Sequence, residues 1–440
     1  MRRRLFESRI QIILVITTLV MIILRFLLNE KGRTSPDSIR YMRTSNVFPV
    51  IDNTTTPLGY PLSIKFFTLF SLDEFWASKV VGILAYLFLI YFAWKKKFYF
   101  KEMVMVGGLF SFVSIFSYTL SEALILPAVF AFLYVGRQVI IDEIKGFKAL
   151  LSLSLMLIFL YNIRYSALFF MGGCFLFGFL HLKKHYGKTF MYSGITGMIF
   201  VVLYKFLFID YFNENYLDVF LEIGLYPTSK LLPEMFLGLA TTFNPFIHIA
   251  DPGGRIINYG IYGIGFLNIL LMCYLFIKNR LSETERFLVL IGVVGFACSY
   301  FIQYFYSVDA IDYRILAPFS VSIWLVYFRK LYLIFGKFTY GITVLSLMTG
   351  FVFTWLSKGN YLENRREIAK FLINEKLETG PIKFYLESDK EINNTQVAEL
   401  ISTVNPNVSI TFKARDTLRK NTLTAYKVLR KIKIDTNRFQ

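Results

Sequence analysis

Residues 10–29 read Ile10-Gln11-Ile12-Ile13-Leu14-Val15-Ile16-Thr17-Thr18-Leu19-Val20-Met21-Ile22-Ile23-Leu24-Arg25-Phe26-Leu27-Leu28-Asn29 and follow a basic end, Arg2-Arg3-Arg4. A hydrocarbon core about 30 Å thick needs roughly 20 apolar residues in helical form, and this run supplies them. Comparable runs recur near 75–94, 103–120, 122–141, 147–162, 166–182, 190–209, 258–277, 287–305, 315–328 and 338–356, of which the fifth and tenth spans, 147–162 and 315–328, are short. The expected fold is an all-α polytopic membrane protein of about 11 transmembrane helices. The stretch 61–72 is apolar as well, but it starts at Pro61 and carries Lys65, which fits a half-helix lying in the interface. The whole chain agrees: 55% of its 440 residues are apolar, 18% are charged and the mean hydropathy is +0.52. That balance excludes a disordered chain and a disulfide scaffold and argues against a soluble enzyme. Cys174, Cys273 and Cys298 all fall in apolar stretches and read as small core residues.

Lys and Arg outnumber Asp and Glu by 48 to 30, a net charge of +18. In a membrane chain this excess points to cytoplasmic loop charge and anionic lipid, not to nucleic acid. Arg2–4 precede the first span. Lys95, Lys96, Lys97 and Lys101 follow the second, and Lys183, Lys184 and Lys188 follow the sixth. Further clusters stand at Arg137, Lys145 and Lys148, at Lys278, Arg280 and Arg286, and at Arg329, Lys330 and Lys337. Every second connection is therefore basic, which predicts a cytoplasmic N-terminus in the cell (inner or plasma) membrane. No small-x-small cleavage site follows the first run, so it is expected to stay as an anchor. Residues 1–356 form the expected membrane module. Residues 357–440 are far more polar, with 16 basic and 10 acidic residues. They read as an external α/β appendage, with helices near 361–377 and 394–403 and strands near 382–387 and 407–413.

The expected external side carries the chemistry. Its first loop reads Thr34-Ser35-Pro36-Asp37-Ser38-Ile39-Arg40-Tyr41 and continues to Pro57-Leu58-Gly59-Tyr60-Pro61-Leu62. The pattern of Asp37, Ser38 and Tyr41 followed by Gly59-Tyr60-Pro61-Leu62 resembles the first external loop of the GT-C superfamily of polytopic glycosyltransferases. Relatives there include the protein O-mannosyltransferases and the bacterial aminoarabinose transferases. The resemblance covers about 30–65 and is architectural over the remaining membrane part. It implies a sugar taken from a polyprenyl-phosphate carrier, with Asp37 as general base for the acceptor hydroxyl. Ser-Pro-Asp-Ser is also ordinary turn chemistry, so the plain alternative for Asp37 is an N-cap or turn residue. The resemblance implies a second acidic residue in the turn Tyr118-Thr119-Leu120-Ser121-Glu122. Glu122 would orient the acceptor or bind sugar hydroxyls; the plain alternative is a helix start capped by Ser121.

The departing phosphate needs cations. Arg314, in Asp312-Tyr313-Arg314-Ile315-Leu316-Ala317-Pro318, resembles the arginine of the last external loop in several such enzymes. Arg164, in a short turn between two apolar runs, is a second candidate; snorkelling at the interface explains it as well. Arg255, in Asp251-Pro252-Gly253-Gly254-Arg255, is weaker, since Pro-Gly-Gly marks any turn. Tyr41 and Tyr60 are further substrate-binding candidates. His181 and His185 stand four apart, but in a basic loop without an acidic partner, so no metal site is expected there. Some GT-C enzymes hold a divalent cation on two or more carboxylates, which Asp37 and Glu122 could supply. The expected partners are a polyprenyl-phosphate sugar donor, a glycan, lipid or protein acceptor and membrane lipids. The competing readings are a Wzy-type polymerase and a transporter or flippase of lipid-linked glycans. The latter predicts charges buried in mid-span and broken helices in paired positions.

Overall fold

The computed structural model describes residues 2–52, 54–212, 225–249, 256–306, 310–388 and 391–434. Among the described residues, eight helices are long and apolar enough to cross a membrane, or nine if one bent pair counts as a span. The chain is thus a multi-pass, mainly helical membrane protein with a small sheet in its tail. The predicted runs are helical, and eight or nine of the helices meet the length and hydropathy of a full span where about eleven spans are expected. Helices Phe100–Gly107 and Phe110–Ser117 are set at 74° to one another. Helix Tyr165–Leu180 is short. The two runs near 315–328 and 338–356 form separate helices, Tyr313–Phe335 and Tyr340–Leu356, divided by a 3-10 turn at Gly336–Thr339 in which Gly336 takes a left-handed φ of 55°. A hydropathy run measures apolar length and is blind to a bend. At the bend, a Cβ on Gly108 would lie 2.4 Å from Thr343, and the Phe110 amide donates to Ser346 Oγ at 2.8 Å. Helix Gly59–Thr68 has ten residues, about 15 Å, and is too short to span.

The chain divides into two compact units. The first comprises Met1–Thr18, Tyr86–Val113 and Ile125–Gly350. Its interior is aromatic: Phe319, Trp324, Phe287, Phe170 and Phe177 are fully buried. Its buried charges are paired, with Glu285 accepting from Lys330 at 2.9 Å and lying 3.6 Å from Arg329.

The second unit comprises Leu19–Ala85, Ser114–Leu124 and Phe351–Gln440. Here the tail folds as α-helix Tyr361–Asn374, strand β1 (Ile382–Tyr385), α-helix Ile392–Ser402, strand β2 (Val408–Thr411) and strand β3 (Thr422–Leu423). The sheet is parallel in the order β2-β1-β3. The third strand was not legible in the sequence: two residues carry no alternation. Helix α2 (Pro36–Val47) contributes Ile39 and Met42 to the same hydrophobic cluster as Ile382, Phe384, Val397 and Val408 of the tail. Phe75 stacks on Tyr361 at 4.7 Å. Lys31 pairs with Glu399, and the Arg43 guanidinium donates to Asn407 at 2.8 Å. The tail is therefore packed onto the helix whose first turn holds Asp37.

Candidate functional site

The first-loop segment begins with a tight turn after the first span. Asn29 Oδ1 accepts from the amides of Lys31 (3.2 Å) and Arg33 (2.9 Å). Gly32 and Arg33 both take left-handed backbone angles, φ of 66° and 59°. Gly32 has no substitute there, since a Cβ would lie 2.6 Å from Phe75. Ser35 then caps α2 in a capping box with Ser38, and Pro36 opens the helix. Asp37 falls in the first turn, where the helix dipole favours an acidic residue. Its carboxylate is 46% exposed and lies 3.9 Å from Arg40. Asp37 is thus not the N-cap, a place Ser35 takes, but a residue of the helix's first turn with an accessible carboxylate.

Thr119 joins this segment to the second acidic candidate, about 80 residues away in sequence. Its amide donates to the Arg33 carbonyl at 3.1 Å, and its carbonyl accepts from Ser38 Oγ at 2.8 Å. Two residues on, Ser121 Oγ lies 2.9 Å from the Tyr41 hydroxyl and donates to Glu122 at 3.3 Å. Glu122 is buried in the first turn of helix Ser121–Ile140. Tyr41 and Tyr60 are buried too, and their rings meet edge to face at 5.0 Å. Burial, with Tyr41 and Glu122 nearby, holds the Tyr60 hydroxyl well above its ordinary pKa, so it stays neutral. Both rings belong to one buried hydrophobic cluster with Ile64, Ala77, Val81 and Leu120.

The same cluster holds cations that sequence reasoning missed. Arg33 is 7% exposed and Lys79 is 2% exposed. Lys79 Nζ donates to the Arg33 carbonyl (3.3 Å), the Ser117 carbonyl (3.0 Å) and Thr119 Oγ1 (3.0 Å). The Arg33 guanidinium donates to Ser114 Oγ at 3.2 Å and lies 3.7 Å over the Tyr118 ring. Arg25 donates to the same Ser114 Oγ at 2.9 Å and to Thr354 at 3.2 Å. Among the described residues neither Arg33 nor Lys79 has a carboxylate partner. Carbonyls, hydroxyls and aromatic faces share the charge without neutralising it. The signal was present in the sequence: Lys79 stands inside an apolar run, and an ionisable residue there marks function by default.

The remaining candidates lie in the first unit. Arg164 sits in extended backbone between two helices, and its Nε donates to Ser166 at 3.1 Å. Arg314 follows Asp312, which caps helix Tyr313–Phe335 by accepting from the amides of Arg314 (3.0 Å) and Ile315 (3.1 Å). Asp312 also lies 3.9 Å from the Arg314 guanidinium, which offsets part of its charge. His248 is buried between the rings of Phe110 (4.6 Å) and Tyr313 (4.1 Å). Arg255 lies outside the described residues. Among those described, no group of three or more His, Cys, Asp or Glu could hold a metal ion.

No protein-family model matches the chain, and no curated protein matches it either. Among solved structures it is similar to ArnT from Cupriavidus metallidurans bound to undecaprenyl phosphate. That match has 13% identity over 91% of this chain and 86% of that one, with a TM-score of 0.46. The apo state of the same protein matches at 12% identity over the same shares, with a TM-score of 0.43.

Proposed function

We propose that this chain is an integral-membrane glycosyltransferase of the GT-C type. It moves a sugar from a polyprenyl-phosphate-linked donor to a glycan, lipid or protein acceptor at the external membrane face. One observation carries the reading. The two acidic segments singled out from sequence are pinned together through Thr119, over a buried pair of cations with no carboxylate partner. Asp37 takes the proton from the acceptor hydroxyl as that oxygen attacks the anomeric carbon. The bond from the anomeric carbon to the phosphate oxygen breaks, and the electron pair leaves with the lipid phosphate. Arg33 and Lys79 supply a fixed positive field for that developing charge, at no reorganisation cost because hydrogen bonds already hold them. Glu122, oriented by Ser121 and Tyr41, positions the sugar or acceptor hydroxyls. Arg164, Arg314 and Arg255 are carried in the proposal as phosphate-binding candidates from the sequence alone.

The test uses membranes supplied with polyprenyl-linked sugars and candidate acceptors. Asp37→Asn should lower transfer on the order of a hundredfold or more, the usual contribution of a general base. Glu122→Gln should lower it less and raise the KM for acceptor or donor. Full transfer by Asp37→Asn removes the base assignment. The transporter reading draws on the bend at Gly108 and on the buried Lys79 and Arg25. It gains if no lipid-linked sugar is consumed while glycan export still depends on the protein.

A further inference from the structure

A second cationic feature lies in the first unit, at the basic end of helix Glu74–Lys96, and the glycosyl-transfer scheme does not use it. Between this helix and helix Phe100–Gly107 the chain turns over Lys97, Phe98 and Tyr99. Lys97 and Tyr99 both adopt left-handed angles, φ of 49° and 45°, which side-chain-bearing residues rarely take. The buried Phe98 ring anchors the turn against Phe130 at 5.2 Å. A turn held in strained backbone by its surroundings is a common setting for a ligand clamp.

This turn borders a hollow of about 710 Å³ whose wall includes Trp94, Lys95, Lys97, Tyr99, Lys101 and Arg329. Two of the cations are already engaged. Lys101 lies 2.7 Å from Glu7 and donates to the Tyr332 hydroxyl at 3.0 Å, while Arg329 lies 3.6 Å from Glu285. Glu102 also lines the hollow, close enough to Arg329 for its charge to be offset. Lys95 and Lys97 are exposed and have no ion pair among the described residues. Tyr99 is 7% exposed, and the Arg329 guanidinium lies 5.2 Å from its ring and interacts with its hydroxyl. Trp94 and Leu333, 59% and 71% exposed, give the rim an apolar side. A Trp at the end of a membrane-length helix marks the level where headgroups begin.

We propose that this hollow binds the phosphate of an anionic membrane phospholipid. Lys95 and Lys97 supply the charge, and Tyr99 donates a hydrogen bond to a phosphate oxygen. The acyl chains lie against Trp94 and Leu333. Basic hollows between helices at the cytoplasmic interface suit such headgroups, and the loop charges predict that this end is cytoplasmic. The inference needs only the membrane-spanning character of the helices and is independent of the transfer chemistry.

The full-length protein would be placed in bilayers of phosphatidylcholine alone, and of phosphatidylcholine with phosphatidylglycerol. Native mass spectrometry then counts retained phosphatidylglycerol, and melting temperature reads its stabilising effect. The wild type should retain the lipid and melt higher in its presence. Lys95→Gln with Lys97→Gln should abolish both effects while melting like wild type in phosphatidylcholine alone. Tyr99→Phe should weaken retention by roughly tenfold, the loss of one hydrogen bond to a charged group. Undiminished retention by the double variant overturns the proposal. So does an equal melting shift from inorganic phosphate without anionic lipid, which would assign the site to free phosphate. Neither variant touches Asp37 or Glu122. Loss of lipid retention with normal sugar transfer therefore supports this site on its own, and loss of transfer in Asp37→Asn leaves it standing.

Discussion

The first unit and the Arg33–Lys79 cluster of the second treat charge differently. In the first, Lys330 and Arg329 share Glu285, and Lys101 shares Glu7 with the Tyr332 hydroxyl. In the second, Lys31 has Glu399, but the deeply buried Arg33 and Lys79 have no carboxylate partner among the described residues, and Arg25 shares Ser114 Oγ with Arg33. Removing an ion from water costs several kcal/mol unless a counter-charge and hydrogen bonds restore most of it. Arg33 and Lys79 lie beside the acidic turns without such a counter-charge among the described residues. In the proposed scheme that counter-charge is the departing lipid phosphate.

The sharpest way to break this contrast is Lys79→Met. It should lower sugar transfer roughly a hundredfold, as loss of a preorganised charge does. Its melting should change by no more than about 2 kcal/mol, since the hydrogen bonds it made are few and the charge itself was a burden. A large loss of stability with normal kcat in the folded fraction would make Lys79 a structural lysine instead. The reverse is expected in the first unit. Glu285→Gln should destabilise by about 3 kcal/mol, because it leaves Lys330 and Arg329 without their carboxylate. Denaturant unfolding in detergent checks it, and Glu285→Met with Lys330→Met should recover most of the loss. Tyr41→Phe removes the contact to Ser121 and should cost about 1 kcal/mol, with a rise in KM greater than the fall in kcat.

The smallest effect concerns the tail. Asp416 is held below its ordinary pKa by the Thr411 hydroxyl and then by Lys383, at 2.8 Å and 3.0 Å. A depressed carboxylate stabilises the fold fully above its unfolded pKa of about 4 and loses that contribution as pH falls through the folded value. The protection of residues 408–423 against hydrogen exchange, taken relative to the intrinsic rate at each pH, should therefore fall on acidification, and Asp416→Asn should flatten that dependence.

Much of the architecture was legible because a membrane forces long apolar runs, and the tail's main helices because their apolar faces repeat. The bend at Gly108 was not, since Val106-Gly107-Gly108-Leu109 stays apolar throughout. Asp37 and Glu122 could be singled out from a motif and a turn. Arg33 could not, because a basic residue beside a span reads as orientation charge until its burial is known. What decides its meaning is the fold of Gly32 and the position of Tyr118, which no local window contains.

Ile39 and Met42 have a practical consequence. A gene shortened at residue 356 would leave an oily stripe on α2 with nothing to cover it, and the product would clump instead of serving as a minimal catalyst. The same arrangement offers a lever. A compound wedged between the tail and α2 would shift the first turn of that helix, and Asp37 with it, without ever crossing into lipid.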